Sequence, residues 1–374
     1  MRGKFGIVAG LSVVSLLAAA CGSSSGSSGT SPSSGASSSS PAVAAKFKAC
    51  MVTDTGGIDD KSFNQSSFQG LTEAAAADHN VAPNFLPSTT TADYASNITS
   101  FIGQKCGIIV TVGFLMGAAT SKGATANPGT KFAIVDFPQA GLTPTPEKNV
   151  DALTFNTVQD GFLGGYLAAG MTKSKKVATF GGQKFSTVTI YMDGFWDGVQ
   201  YYNSQHHTNV QVLGWNEKTQ KGSFTGNFTD LTAGQRLTNT FISEGADIIF
   251  PVAGGVGLGA MKAVQNADAA AGTQKVNAMW VDTDGCVSAA QFCKYFITSV
   301  EKGITTAVKA AVLSAAKGTF KGGNYVGTLA NGGVTLAPYH TFASKVPAAL
   351  TAALAKVKAG IENGSIKTPT KSPV

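Results

Sequence analysis

The sequence is poor in charge. Only 13% of its 374 residues are Asp, Glu, Lys or Arg, and the formal net charge is +7. Without Arg2 and Lys4 near the start, the charge would be +5. We find no cluster of basic residues with interleaved aromatics, which is the pattern typical of nucleic-acid binding. The composition therefore predicts a protein that does not bind nucleic acid.

Metal-binding and catalytic motifs are also missing. The sequence has four histidines, no C-x-x-C pair and no H-E-x-x-H, so we expect no metal site. It has no P-loop, and no G-x-S-x-G outside a Ser/Gly-rich segment near the start. The glycines of 254-GGVGLG-259 lack the G-x-G-x-x-G spacing of a dinucleotide loop. These absences predict a protein that is not an enzyme and has no cofactor.

An uncharged apolar run stands at the start of the chain. Residues 5–20 follow a basic start and end in small residues, which predicts a signal peptide over residues 1–20. The run is too short for a permanent membrane-spanning helix. Cys21 follows Ala-Ala-Ala, and this arrangement resembles a bacterial lipoprotein box, in which the cysteine is lipidated. Ordinary secretion, with Cys21 as a stray thiol, is the alternative.

A segment of low complexity comes next. Residues 22–40 are almost all Ser and Gly, and such a composition cannot bury apolar area. We therefore expect residues 21–45 to be a lipidated cysteine and a flexible tether. A lipid anchor with a tether predicts a location at the extracytoplasmic face of the cell membrane.

Four further cysteines are compatible with disulfides, because export makes them possible. Cys286 and Cys293 are close in sequence and could staple a short segment. Cys50 lies in one apolar run and Cys106 directly precedes another, 107-GIIVTVG-113. If these runs are neighbouring parallel strands, the two thiols meet at one end of the sheet. Three pairings are possible on paper, and we predict Cys50–Cys106 and Cys286–Cys293.

Apolar runs of strand length alternate with helical patterns over about 300 residues. Because the runs are continuous and not alternating, they predict parallel sheets covered on both faces, in an α/β protein with two sheets. The predicted strands are 47–54, 107–113, 131–137, 175–182, 247–253, 278–283 and 295–300. The predicted helices are 62–77, 160–172, 194–205, 257–270, 303–318 and 346–361.

Polar residues stand where these strands end. Ligands bind outside the carboxyl ends of the strands in open α/β sheets, and Asp54, Asp136 and Asp282 each lie at the end of a predicted strand. Any one of them is open to a simpler interpretation as a helix N-cap. Three of them, with Phe63 beside the first, favour a site that binds hydroxyl groups and a flat ring.

Four stretches closely resemble one family. They are 52-VTDTGGIDDKSFNQSSFQGL-71, 247-DIIFPVAGGVGLGAMKAV-264, 278-AMWVDTDG-285 and 297-ITSVEKG-303. Together they are similar to the basic membrane protein family of bacterial lipoproteins, over about residues 46–361. The resemblance implies the two-lobe type I periplasmic-binding-protein fold, each lobe a parallel sheet flanked by helices. It implies the substrate-binding component of a nucleoside ABC transporter, with ABC permease subunits as partners.

The resemblance also implies ligand contacts, here on the base. Asp54, Asn64 and Asp136 match residues that bind the base. Phe63 matches an aromatic that stacks on one face of the base, and Phe228 one that stacks on the other. The roles of these five residues rest on the resemblance alone.

Further implied contacts lie late in the chain. Gly254 or Gly255 would give a backbone contact. Asp282 or Asp284 would bind the ribose hydroxyls, and the sequence leaves the choice between them open. Lys302 would bind the ribose as well. The expected ligand is a nucleoside, more specifically a purine nucleoside, with a sugar or another small polar ligand as the alternative.

Two lobes predict a mechanism in which the ligand closes the cleft. We expect residues 46–153 and 302–320 in lobe one, and residues 154–301 and 321–366 in lobe two. A ligand that touches both lobes stabilises the closed state, which then docks on the permease for uptake. We expect the protein to be a monomer. An envelope interaction protein or adhesin that keeps the fold without transport is a further alternative.

Overall fold

The sheets are built from the buried apolar runs. Ile108–Val112 and Ile248–Val252 are buried at every position, so these strands are covered on both faces. The computed structural model describes residues 46–143 and 148–372. The predicted signal peptide, Cys21 and the tether lie outside the described residues. Among the residues that are described, no helix has the length and apolar character needed to cross a membrane.

The strands recur along the whole described chain. In chain order they are Phe47–Val52 (β1), Val81–Leu86 (β2), Ile108–Val112 (β3), Lys131–Val135 (β4), Val150–Phe155 (β5), Lys176–Gly181 (β6), Gln211–Leu213 (β7), Trp215–Asn216 (β8), Lys221–Gly222 (β9), Ile248–Val252 (β10), Asn277–Asp282 (β11), Phe296–Lys302 (β12), Gly323–Gly327 (β13) and Val334–Leu336 (β14).

Helices separate most of these strands. They are Phe63–Ala77 (α1), Asp93–Gly103 (α2), Gly117–Ala126 (α3), Val158–Met171 (α4), Ser186–His206 (α5), Leu231–Ser243 (α6), Val256–Ala271 (α7), Gly285–Ser288 (α8), Ile304–Ala316 (α9) and Ala348–Glu362 (α10).

Two six-stranded sheets repeat one plan. Sheet 1 has the order β13-β5-β4-β3-β1-β2, with parallel pairing throughout. Sheet 2 has the order β14-β12-β11-β10-β6-β7, and there β14 runs antiparallel to β12. The strands β8 and β9 form a small antiparallel ribbon. Strand β4 of sheet 1 therefore corresponds in position to β11 of sheet 2.

Each sheet is covered by helices on both faces. Helices α1 and α9 lie on one side of sheet 1, and α2 and α3 lie on the other. Helices α4 and α5 cover one side of sheet 2, α6 and α7 cover its opposite side, and α10 packs on α4. This is the predicted α/β architecture of two lobes with a parallel sheet in each.

The predicted lobe boundaries need two corrections. Gly323–Gly327 pairs in parallel with β5, so it belongs to sheet 1, although residues 321–366 are predicted in lobe two. This strand is rich in Gly and Asn and half-exposed, so it lacks the apolar signal that marks the central strands. Lys302 is the last residue of β12 and belongs to sheet 2, although it opens the predicted lobe-one segment 302–320.

Both predicted disulfides are confirmed. Cys50–Cys106 joins β1 to the residue that leads into β3, and these strands are parallel neighbours. Both of its cysteines are buried. Cys286–Cys293 closes a short surface segment after β11. In the chain-entropy model, the long loop closed by the first bond corresponds to a stabilisation of about 4 kcal/mol.

Candidate functional site

A cavity lies at the carboxyl ends of the strands of both sheets. Eight of the ten predicted contact residues line it: Asp54, Phe63, Asn64, Asp136, Phe228, Gly254, Asp282 and Lys302. The structure therefore brings together residues that are up to about 250 positions apart in the chain.

Asp54 and Asn64 form one side of the cavity. Asn64 Nδ2 donates to Asp54 Oδ1 at 2.7 Å, and the backbone N–H of Asp54 bonds to Asn64 Oδ1 at 3.2 Å. Asp60 Oδ2 accepts from the Asn64 backbone N–H and Oδ1 from that of Ser62, which fixes the start of α1. Asn64 is thus held from two sides, and its position on α1 is set by this turn.

Tight backbone geometry lets Asp54 and Phe228 reach these positions. Gly113 has φ of +110°, and a Cβ there would lie 3.0 Å from Asp54 Oδ2. A Cβ on Gly182 would lie 2.3 Å from the Phe228 ring. A side chain at either position would push the site residue away, so glycine is needed at both strand ends.

Lys302 stands between two carboxylates from the two sheets. Its Nζ lies 2.5 Å from Asp136 Oδ2 and 3.4 Å from Asp282 Oδ1. Asp282 also accepts from Tyr191 Oη at 3.1 Å and from Ser62 Oγ at 2.7 Å. All of these side chains are buried. The result is a polar floor in which donors and acceptors have fixed positions.

Asp136 and Asp282 occupy equivalent places in the two sheets. Each directly follows or ends its strand, β4 or β11, and each has a left-handed backbone, with φ of +61° and +68°. Such a conformation costs free energy for a residue with a side chain, and it turns both carboxylates into the cavity.

Burial acts strongly on the charges of the site. It raises the pKa of Asp54, although hydrogen bonds from Asn64 and Gly56 work in the other direction. It raises the pKa of Asp60 to about 7. Burial alone would lower the pKa of Lys302, but Asp136 and Asp282 outweigh it and hold that pKa above its usual value. Lys302 is therefore positively charged at neutral pH.

Aromatic side chains enclose the rest of the cavity. Phe63 is half-buried, and its ring centroid lies 5.0 Å from Lys302 Nζ. Phe228 lines the cavity from the segment before α6. Phe185 lies near it, with ring centroids 6.3 Å apart, and stacks on Phe114 at 5.3 Å. Because Phe114 follows β3 and Phe185 precedes α5, this stack joins elements of the two sheets across the cavity.

Two predicted contact residues lie outside the lining. Asp284 caps α8 by accepting from the backbone N–H of Cys286, and its Oδ2 lies 2.7 Å from His340 Nε2. Gly255 does not line the cavity either. A Cβ there would lie 3.3 Å from the carbonyl oxygen of Phe228. Of the alternatives Asp282 or Asp284, the structure thus brings Asp282 to the cavity. Of Gly254 or Gly255, it brings Gly254.

Sequence reasoning missed several lining residues. Tyr191, Phe114 and Phe185 line the cavity but stand in no quoted motif. Phe114 directly follows Gly113, the last residue of the predicted strand 107–113, so the rule that ligands bind at strand ends offers a signal for it. Tyr191 lies inside α5, where a tyrosine is as readily explained by the core, and no local signal distinguishes it.

Two parallel sheets that share one enclosed polar and aromatic cavity define a two-lobe solute-binding protein. The family described as "ABC transporter substrate-binding protein PnrA-like", or Bmp, matches residues 47–368. The chain belongs to this family.

Relatives with curated descriptions agree with the assignment. A Lactococcus lactis protein described as "ABC transporter nucleoside-binding protein BmpA" is 28% identical over 341 residues, covering 88% of this chain and 91% of that protein. A Listeria monocytogenes protein described as "CD4+ T-cell-stimulating antigen" is 30% identical over 336 residues, covering 87% and 88%.

Solved structures show the same fold. A solute-binding protein of an ABC transporter system from Aeropyrum pernix is similar with a TM-score of 0.76 at 24% identity, covering 86% of this chain and 94% of that one. An arabinose-binding protein from Geobacillus stearothermophilus has a TM-score of 0.57 at 16% identity, covering 81% and 100%. At these identities the likeness concerns the fold alone.

Proposed function

We propose that this protein binds a nucleoside, preferentially a purine nucleoside, between its two lobes and delivers it to an ABC permease for uptake. The observation that carries the proposal is the pairing of aromatic walls with a charged floor in one cavity. Phe63 and Phe228 provide flat apolar surfaces, and Asp282 and Lys302 provide fixed charges. The description of the Lactococcus lactis relative as nucleoside-binding supports the choice of ligand.

The base occupies the aromatic part of the cavity in this proposal. Phe63 and Phe228 stack on its two faces, while Asp54, Asn64 and Asp136 bind its polar edge. Base–aromatic stacking contributes about 1–3 kcal/mol per base in single-stranded nucleic-acid binders. Gly254 contributes a backbone contact at the start of α7.

The ribose hydroxyls bind Asp282 and Lys302. A carboxylate accepts hydrogen bonds from two neighbouring hydroxyls, and Lys302 donates to a hydroxyl oxygen. Among the described lining residues, Lys302 is the one cation, and it is already paired with Asp136 and Asp282. Because the acidic groups outnumber it, a neutral nucleoside fits the cavity better than a nucleotide with its phosphate charges.

Contacts between the lobes support a closing mechanism. Ser62 Oγ, from the loop before α1, donates to Asp282 of sheet 2, and Trp280 Nε1 donates to the Lys61 carbonyl at 3.0 Å. A ligand held by residues of both sheets adds to these contacts and favours the closed form. The closed form then docks on the permease, and ATP is hydrolysed by a separate subunit.

We place the protein at the extracytoplasmic face of the cell membrane, as a monomer anchored by a lipid on Cys21. The sequence pattern at Cys21 and the Ser/Gly tether support this location. Cys21→Ala should release the protein from membranes in a fractionation experiment. A variant that stays in the washed membrane fraction would contradict the lipid anchor.

Calorimetric titration of the purified protein tests the ligand class. The titrants are purine nucleosides, pyrimidine nucleosides, the free bases, nucleoside monophosphates and pentoses. The proposal expects the tightest binding for a purine nucleoside. Tight binding of a pentose alone would support the sugar-binding alternative, and no binding of any titrant would favour an envelope interaction protein.

A further inference from the structure

A second group of donor atoms lies two residues beyond Asp282. A carboxylate oxygen of Asp284, Sγ of Cys286 and a ring nitrogen of His340 lie within 4.8 Å of one another. Three side chains with three kinds of donor atom therefore converge from two chain segments. Cys293 adds a second sulfur next to this group, because its Sγ is bonded to that of Cys286.

The group is held in place by the protein itself. Asp284 accepts from the backbone N–H of Cys286 at 2.9 Å, and its other oxygen contacts His340 Nε2 at 2.7 Å. The turn that starts at His340 packs against the turn that contains Cys293, where Thr341 Oγ1 donates to the Cys293 carbonyl. These contacts hold Asp284, Cys286 and His340 close to one another.

The two disulfides differ in access to solvent. Cys50 is fully buried and Cys106 is 5% exposed, whereas Cys286 and Cys293 are only half-buried. A dissolved reductant therefore reaches the Cys286–Cys293 bond and not the Cys50–Cys106 bond while the protein is folded.

We propose that Cys286 and Cys293 become two ligands of a zinc site when a thiol or phosphine reduces the disulfide bond between them. With a thiol, two reductant thiols are oxidised to one disulfide, and their two electrons and two protons convert the Cys286–Cys293 bond into two cysteine thiols. With a phosphine, the phosphorus is oxidised to a phosphine oxide that takes its oxygen from one water, and the two protons of that water go to the two cysteine sulfurs. Zn²⁺ then binds both sulfurs as thiolates, and the two thiol protons pass to water. Asp284 and His340 complete a four-coordinate site.

The donor set and its spacing suit zinc. Two thiolates, an imidazole and a carboxylate are ligands that Zn²⁺ accepts in tetrahedral sites. With Zn–S bonds of about 2.3 Å and Zn–N bonds of about 2.0 Å, the ligand atoms of a tetrahedron lie about 3.3–3.8 Å apart. Opening the disulfide lets the sulfurs reach that spacing in a half-buried surface segment.

The sequence does not indicate this site by a C-x-x-C motif, because the ligands come from separate segments. His340 follows Cys293 by 47 positions.

Cobalt is a suitable probe, because Co²⁺ bound to thiolates absorbs visible and near-ultraviolet light. The mature full-length chain is treated with a water-soluble phosphine, the phosphine is removed without oxygen, and Co²⁺ and then Zn²⁺ are titrated. We expect one equivalent of Co²⁺ to give thiolate absorption in the reduced protein and none in the oxidised protein, and Zn²⁺ to abolish it. Peptide mapping checks that Cys50–Cys106 remains intact.

Variants separate this site from adventitious binding. His340→Ala should weaken Zn²⁺ binding at least about tenfold, the scale on which even outer-shell partners of a metal act. His79→Ala, at an exposed histidine elsewhere, is the matched control and should change nothing. The double variant Cys286→Ser, Cys293→Ser should bind no Co²⁺ in either state. Reduced protein that takes up no Co²⁺, or a double variant that binds it as the reduced protein does, would overturn the proposal.

Discussion

Phe63 lies on the cavity wall and is half-buried, whereas core phenylalanines such as Phe132 are fully buried. Its ring covers Lys302 Nζ at 5.0 Å, so the side chain belongs to the site and not to the centre of a core. Removing the Phe63 ring should therefore lower the affinity for the ligand more than it lowers the stability of the fold.

Phe63→Ala should weaken nucleoside binding about ten- to hundred-fold, because a stacking contact of about 1–3 kcal/mol is lost. Calorimetry measures the affinity, and thermal melting checks that the variant is folded. Phe68→Ala is the matched control, since Phe68 is half-buried on the same helix but packs on Phe85. Equal affinities of wild type and Phe63→Ala would show that Phe63 only packs.

Asp282→Asn should separate ribose from base. The variant keeps the size of the side chain but loses the charge that accepts from hydroxyls, which costs about 1.5–3 kcal/mol. Affinity for the nucleoside should fall about ten- to hundred-fold, while affinity for the free base should stay nearly constant. Asp284→Asn is the comparison, because Asp284 lies outside the cavity lining. Equal losses for nucleoside and base would contradict the ribose contact.

For single residues, the sequence predicts which residue types form the site better than it predicts where each side chain lies. The acids and the aromatic at strand ends follow from the strand pattern, and eight of ten expected contacts line the cavity. The choice between Asp282 and Asp284 could not be made, because it depends on where β11 ends and on the left-handed turn at Asp282. Tyr191 is brought to the cavity by the packing of α5, which leaves no local pattern.

Among the helices, α4 carries a buried acid in its first turn. Asp160 is fully buried, and burial raises its pKa well above the usual 3.8. The folded protein therefore keeps this proton over a pH range in which the unfolded chain has lost it. By linkage, the contribution of Asp160 to stability is complete below about pH 4 and is lost as the pH rises.

Asp160→Asn should remove this pH dependence, because an amide does not ionise. Relative to wild type, the free energy of unfolding of the variant should rise between pH 4 and 7, by up to about 1.4 kcal/mol per pH unit. Urea denaturation at several pH values measures it. Asp59→Asn is the control, since the Asp59 side chain is 88% exposed. A constant difference between wild type and Asp160→Asn over this range would contradict the account.

Central elements were predictable and peripheral ones were not. The strands β1, β3, β4, β6, β10, β11 and β12 match predicted runs, because burial on both faces leaves a continuous apolar signal. The edge strand β2 contains Pro83 and exposed residues, and β13 is rich in glycine. These two edge strands owe their structure to packing on neighbours, which no short window of sequence contains. Helix α6 is different, because it is amphipathic and begins at the N-cap Asp230, a local pattern that indicates a helix although Leu231–Ser243 is not among the predicted ones.

The whole molecule is built so that one ligand can touch both sheets. Asp136 of sheet 1 and Lys302 of sheet 2 meet in the cavity, and the Phe114–Phe185 stack spans it. The described chain passes between the two sheets three times, after β5, after β12 and after β13. We propose that a nucleoside completes this arrangement.

A crystal structure of the protein with a bound purine nucleoside tests that claim most directly. We predict density for the base between Phe63 and Phe228, and ribose hydroxyls within hydrogen-bond distance of Asp282 and Lys302. A nucleoside bound outside this cavity, or a base that contacts neither phenylalanine, would contradict the account.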